Sequence, residues 1–355
     1  MSTSSFAQRL AVTGSLPRLG VKNRMPVRIG FLTPLSGPEE SWGRPGLDGC
    51  QLWAEGLNAR GGLMIGGRRH PIEIVARDSA QSGAATLEAA RELVDDLDAR
   101  LILTLGGDSF APALPWLMAR RALVATLLPS DLSPDTPYLI APSEVHPLFN
   151  VTGVDWLARN RPAARRVALC SQTDSLGLPS LAVYRAAFEA AGREMVREIR
   201  YAPDDTDAAG IVRAMLEGAP DVLCWCSSAP PMMRALTEAA FAQGFQGEIL
   251  ACTADDYPQM IAQTSAEFMA RYTFQFPDFD DPALADTAFF FRRPEAFFAA
   301  YNERFPGEWS AVSWEYASIL DLWHAAVDSA DTTEPVSALA AMKRSQVMPH
   351  AFGPA

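Results

Sequence analysis

The side chains of this chain that could do chemistry are hydroxyls and carboxylates gathered in short loops. Histidine and cysteine contribute little. The four histidines, His70, His146, His324 and His350, show neither HExxH nor any other metal-ligand spacing. Five cysteines, an odd number, give no disulfide framework. Cys224-Trp-Cys226 puts two sulfurs on one face of an apolar run, and with Cys50, Cys170 and Cys252 it reads as core packing. No G-x-x-x-x-G-K-[ST] phosphate loop is present, and no G-x-G-x-x-G follows a strand. Gly107-Asp-Ser109 lacks the closing glycine of a nucleophile elbow. A hydrolase built on Ser109 and a histidine is the rival reading from a different functional class, because fold alone does not exclude it.

The polar loops carry the positive signal. They are 36–43 (Ser36 to Gly43, with Trp42), Gly106-Gly-Asp108-Ser109, Leu128-Pro-Ser130-Asp131-Leu132, Gln172-Thr-Asp174, Cys226-Ser227-Ser228 and Thr253-Ala-Asp255-Asp256-Tyr257. In the second of these a glycine turn opens a helix. Its unpaired N–H groups and the Ser109 hydroxyl could hold a carboxylate. Asp108 or Ser109 could equally cap that helix, and the two roles are compatible. The adjacent Asp255 and Asp256 could receive an ammonium or amide N–H, or could simply be solvated.

Each loop follows a short apolar run, and those runs are what must position it. Val27–Leu32, His70–Ala76, Leu101–Leu105 and Val124–Leu128 read as strands. Between them, helices are expected from Leu47 to Leu57, from Ala84 to Leu97 and from about Pro112 to Arg120. After the Pro-rich 128–147 crossover the rhythm restarts. Strands are expected at Arg166–Cys170, Glu198–Tyr201, Val222–Cys226, Glu248–Ala251 and Tyr272–Phe276, and helices at Leu181–Ala191, Asp207–Glu217 and Met232–Gln243. An acidic loop, 277–282, leads to helices at Pro294–Arg304, Ala311–Ser329 and Val336–Lys343. Apolar strands alternating with helices predict an α/β chain of doubly wound parallel sheets, in two similar units. In such sheets ligands sit at the carboxyl ends of the strands, where these loops lie.

Composition narrows the class. A chain of 355 residues allows about two domains at roughly 150 residues each. The net charge of −12 argues against a phosphate-tracking surface, so no nucleic-acid partner is expected. Apolar residues make up 48% and charged ones 20%, a globular balance. No run nears the ~18 apolar residues of a membrane span. Residues 1–25 are polar and basic without a signal-peptide apolar core, and are expected to be a disordered lead-in.

The combination Ile29-Gly-Phe-Leu-Thr-Pro-Leu-Ser-Gly-Pro38, Trp42-Gly43, Asn58-Ala-Arg-Gly-Gly-Leu63 and Ile72–Asp78 resembles type I periplasmic binding proteins. Within them it is most similar to the branched-chain amino acid and amide receptors of ABC importers. The similarity continues through Gly177, Gln243-Gly-Phe245 and Trp314-Glu-Tyr-Ala317. The resemblance implies two lobes joined by hinge crossovers that close over a small molecule. Lobe 1 would be 26–146 plus 278–345, and lobe 2 would be 147–277 plus 346–355, with a final lobe-2 segment cut short.

It implies Ser109 for a ligand carboxylate, Asp255 or Asp256 for an ammonium or N–H, and Trp42 as an apolar wall. Asp108, Ser130 and Asp131 would line the first lobe's edge, with Asp174 and Ser227 facing them. The family's threonine and tyrosine anchors are replaced by Leu132 and Leu176, which implies an altered specificity. The expected ligand is an amino acid, amide or small carboxylate, bound without turnover, cofactor or metal. The expected partner is an ABC permease/ATPase complex, through which alone the protein would meet the membrane. The implied location is periplasmic. A cytosolic, amide-responsive regulator of the same fold is the alternative, since no signal peptide is visible.

Overall fold

The computed structural model describes residues 25–142, 146–252, 257–274, 295–344, 349–350 and 353–354. The expected acidic loop 277–282 lies outside them. The first unit runs β1 (Val27–Thr33), α1 (Glu40–Ala59), β2 (Leu63–Ile65), β3 (Arg68–His70), β4 (Ile72–Asp78), α2 (Gly83–Arg91), β5 (Ile102–Thr104), α3 (Leu114–Ala119), β6 (Val124–Thr126) and β7 (Leu139–Ile140). The second runs α4 (His146–Asn160), β8 (Arg166–Gln172), α5 (Gly177–Ala190), β9 (Glu194–Tyr201), α6 (Ala208–Leu216), β10 (Val222–Trp225), α7 (Pro230–Ala242), β11 (Glu248–Ala251), α8 (Tyr257–Gln263), α9 (Ala266–Met269) and β12 (Tyr272–Phe274). Then come α10 (Glu295–Arg304), α11 (Val312–Ala330), α12 (Pro335–Arg344) and a small pair, β13 (Pro349–His350) and β14 (Gly353–Pro354).

The sheets are parallel, in the orders β4-β1-β5-β6-β7 and β12-β11-β10-β8-β9. Strand alternation explains why the central runs place apolar residues on both faces. In β1, Ile29 and Phe31 enter one core and Leu32 the other; around β5, Leu101, Leu103 and Leu105 oppose Ile102 in the same way. The second sheet repeats the device, with Leu223 and Trp225 on one face and Val222, Cys224 and Cys226 on the other. Each large side chain buried on either face contributes roughly 1.5–3 kcal/mol. All five cysteines are buried core residues, and none forms a disulfide.

The chain returns to its first unit at the end. Tyr316, Ile319, Leu320 and Trp323 of α11 join the core that holds Phe31 and Trp53. The Trp53 indole donates to Asp321 at 2.8 Å. The helices touch nearly backbone to backbone, since a Cβ on Gly49 would lie 1.9 Å from the Ser313 carbonyl oxygen.

Three sequence expectations change. The strand expected at His70–Ala76 is two pieces. Arg68–His70 pairs antiparallel with Leu63–Ile65 as a hairpin, and Ile72–Asp78 joins the sheet. The 128–147 crossover feeds directly into α4, whose first turns hold too few regularly spaced apolar residues to announce a helix. The loop expected at 36–43 ends early, because α1 begins at Glu40 and carries Trp42 in its first turn.

Candidate functional site

Numbered within each unit, both sheets have the strand order 2-1-3-4-5. That order reverses between β1 and β5 in one sheet, and between β8 and β10 in the other. The carboxyl ends of those four strands are therefore where a ligand crevice belongs. The loops leaving them are 34–39, 105–110, 173–176 and 226–229, and two of the four meet.

In the first unit the crevice rim is held together by carboxylates. Asp78, at the end of β4, accepts from the backbone N–H groups of Leu35 (2.9 Å) and Ala80 (2.8 Å) and from the Ser36 hydroxyl (2.6 Å). Burial alone would raise the Asp78 pKa, but these donors hold it below the ordinary carboxylate value. Ala80 and Gln81 both adopt left-handed backbone, φ 47° and 51°, a conformation costly for residues with a side chain. The turn brings the Gln81 side chain into a hydrogen bond with half-buried Glu39. Burial raises the pKa of Glu39; the Gln81 bond opposes this, and the nearby Asp174 and Asp108 carboxylates add to the rise.

After β5, Gly106 (φ 95°) and Gly107 (φ 79°) turn the chain sharply. Asp131 fixes this turn from the next loop, accepting from the Gly107 N–H at 2.9 Å and the Thr126 hydroxyl at 3.3 Å. Burial raises the Asp131 pKa, against the Gly107 and Thr126 bonds, with Asp108 adding to the rise. A Cβ on Gly106 would fall 2.2 Å from the Asp131 carboxylate and 2.3 Å from the Thr126 hydroxyl, so the turn has room only for glycine.

In the second unit Asp174 closes the start of α5. Its Oδ1 accepts from the Leu176 and Gly177 N–H groups at 3.1 and 2.8 Å, and its Oδ2 from the Gln172 amide at 2.6 Å. Gln172 Oε1 in turn accepts from the Ala229 N–H at 3.0 Å, tying the β8 and β10 loops together. Ser227 is buried, and among the described residues its hydroxyl finds no partner.

The units meet through a reciprocal pair. The Asp108 N–H donates to Ser175 Oγ at 2.9 Å, and the Ser175 N–H donates to Asp108 Oδ2 at 3.1 Å. Beside it Leu176 packs into the first unit's apolar cluster with Leu127 and Leu128. The approach is close at Gly107, where a Cβ would meet both Ser175 Oγ and a Leu128 methyl.

The structure thus gathers Asp108, Asp131 and Asp174 at facing rims. Ser109 sits half-buried beside them, and Ser130 is exposed on the first unit's edge. Two sequence expectations are revised in detail. Trp42, read as a wall of the crevice, is 7% exposed and belongs to the first unit's core, because α1 starts before it. The amides of 106–109, read as an anion cradle, are partly committed, Gly107 to Asp131 and Asp108 to Ser175. Asp255 and Asp256 lie outside the described residues.

Sequence reasoning missed Glu39, Gln81 and Ser175. Glu39 and Ser175 stood within or beside loops already singled out. Gln81 carries no sequence signal, since its role depends on a left-handed turn. The rims offer chiefly oxygen acceptors, suited to a ligand that presents N–H or O–H groups. Among the described residues no group of three or more His, Cys, Asp or Glu is placed to hold a metal, and no helix is long and apolar enough to cross a membrane.

Known proteins share this architecture. The leucine-binding protein LivK of Thermotoga maritima superimposes with a TM-score of 0.77 at 17% identity, covering 92% of this chain and 90% of that one. The branched-chain amino acid transporter substrate-binding protein LivJ of Streptococcus pneumoniae, solved with isoleucine, gives 0.75 at 17% identity, with 93% and 91% covered. An ABC-transporter solute-binding protein of R. palustris, solved with 4-hydroxybenzoate, gives 0.73 at 18%, with 93% and 88% covered. A search of curated proteins returns no match. The family profile described as periplasmic binding protein matches residues 26–355. With facing switch-point crevices and a match over nearly its whole length, the chain belongs to the periplasmic binding protein family, whose members bind solutes rather than transform them.

Proposed function

We propose that this protein is the solute receptor of an ABC importer, closing two lobes over a small polar organic molecule and delivering it unchanged to a permease. The reciprocal Asp108–Ser175 pair carries the reading, since it joins the two switch-point rims directly. Closure of this kind stores ligand preference as a population difference: a ligand stabilises the closed form only by binding it more tightly than the open one. The lobes follow the described packing, with residues 26–142 and the α11–α12 return forming one and α4 to β12 the other. The solute class is an amino acid, an amide or a related carboxylate, a range that spans the isoleucine and 4-hydroxybenzoate of the similar proteins. Ser109 and Asp108 offer the first lobe's polar contacts, and Asp174 and Ser227 the second's. A receptor of this kind works in the periplasm.

The test is titration calorimetry of the purified protein against amino acids, primary amides, urea and aromatic carboxylates, with small-angle scattering on any hit. Saturable binding of a member of one class, with a smaller radius of gyration in the bound form, supports the proposal. Absence of binding across all four classes sinks it.

A further inference from the structure

A cavity of about 200 Å³ lies where the two lobes meet, behind the Asp108–Ser175 pair. Leu128 and Pro129 of the first lobe form one wall, and Leu176, Pro179 and Val183 of the second form the other. Among the described residues, none of its lining side chains is charged. Into this apolar space α4 and α5 bring Asn150 and Ser180. Asn150 is fully buried, and its Nδ2 donates to Ser180 Oγ at 2.9 Å. Among the described residues its Oδ1 has no partner. The Ser180 hydroxyl oxygen also receives the Ser227 N–H at 3.3 Å, so its lone pairs are used. An unmet carbonyl oxygen in such a place costs about 1–3 kcal/mol, which a matching donor would recover.

We propose that this cavity is a binding subsite for an uncharged N–H or O–H donor carried on a compact apolar body. The inference rests on the receptor reading and deepens it by naming the chemistry of one end of the ligand. Three features carry it. The volume exceeds the roughly 150 Å³ that suffices for a benzene-sized guest. The unpartnered Asn150 Oδ1 asks for a donor, and a carboxylate placed there would face a like-signed oxygen with no cation among the described lining residues. The walls come from both lobes, so a guest in the cavity touches both and favours the closed form.

The experiment uses a matched set of probes on the full chain: benzamide, phenol, benzoate and toluene, with affinities read by ligand-observed NMR titration. Benzamide and phenol bind at least tenfold more tightly than toluene, and benzoate binds at least tenfold more weakly than benzamide. Asn150→Leu removes the preference for benzamide over toluene while leaving toluene binding equal or tighter. Val183→Phe fills the space and expels all four probes. Circular dichroism confirms that both variants remain folded, and each carries the test if the other does not fold. Equal affinity for benzamide and toluene, tight benzoate binding, benzamide binding unchanged by either variant, or no probe binding overturns the subsite. The two proposals fail separately. A calorimetric ligand whose affinity survives Asn150→Leu and Val183→Phe leaves the receptor standing without the subsite. Asn150-dependent probe binding without any solute that closes the lobes leaves the reverse.

Discussion

The two rims of the crevice are built from the same strand order and yet fasten their loops differently. On the first lobe, Asp78 and Asp131 each collect donors from neighbouring loops, so 34–36, 78–80, 106–107 and 126–131 behave as one knitted surface. On the second, Asp174 caps its own helix and Gln172 reaches across to the β10 loop. Buried hydroxyls without a partner among the described residues occur on both rims, Thr33 and Ser79 on the first and Ser227 on the second, where Asn150 Oδ1 is also unmet. A rim whose loops are cross-linked in this way is a rigid platform. A buried polar group without a partner is held desolvated, and a ligand that meets it gains what folding gave up. The first lobe's rim is therefore fastened loop to loop, and the second's chiefly through one capped helix start and one loop tie.

The largest break in that contrast should come from the knitted rim. Gly106→Ala drives a Cβ into the Asp131 carboxylate and Thr126 hydroxyl on a left-handed backbone, and should cost about 3 kcal/mol in urea unfolding. Asp131→Ala strands the Gly107 N–H and should cost about 2 kcal/mol by the same assay. On the opposite rim, Asp174→Ala removes a local cap and should cost only about 1 kcal/mol. Equal losses for Asp131→Ala and Asp174→Ala would erase the distinction between the rims.

Asp108→Ala removes one hydrogen bond between lobes and leaves each lobe intact. Stability should change by less than about 0.5 kcal/mol. Ligand affinity should fall about fivefold, the equivalent of a net hydrogen bond of about 1 kcal/mol. Scattering of the ligand-bound form would show the closed fraction shrinking.

The smallest effect sharpens the electrostatics. The raised pKa of Glu39, due first to burial, means that the folded protein holds this proton more tightly than the unfolded chain. Stability from this group is greatest below the ordinary glutamate pKa and falls as pH rises through the higher folded value. Glu39→Gln should therefore stabilise the protein slightly at neutral pH and flatten that part of the profile in urea melts run between pH 4 and 7. Asp78 works in the opposite sense. Its lowered pKa gives stability that is present above the unfolded value and lost as pH falls through the folded one.

Much of this was readable from the chain itself. Val222–Cys226 is apolar at every position, and Val27–Leu32 nearly so with Arg28 the exception, because both sheet faces are covered, so such runs announce a parallel sheet. Helix α4 was not readable, since its apolar residues do not repeat cleanly at helical spacing, and Asn150 went unnoticed with it. The hairpin at Leu63–His70 was hidden because its strands are three residues each. At the site, loop position pointed to Asp108, Asp131 and Asp174, but their partners did not follow. The Asp131 bond to Gly107 spans 24 residues and the Asp108 bond to Ser175 spans 67, and such pairings are set by how sheets twist and dock. Trp42 shows the converse: the motif placed it near the crevice, and an earlier helix start turned it inward.

The nearly bare contact between α1 and α11 has a temporal consequence. Gly49 and Ser313 are 264 positions apart, yet their backbones must touch before the first core is complete. On a ribosome, residues 146–274 emerge as one continuous stretch, and such units generally fold as they are made. The opening segment, synthesised earliest, must wait with Phe31 and Trp53 uncovered until the last helices arrive. The part of the molecule made first is the part finished last, and it is there that a chaperone would find its longest-lived target.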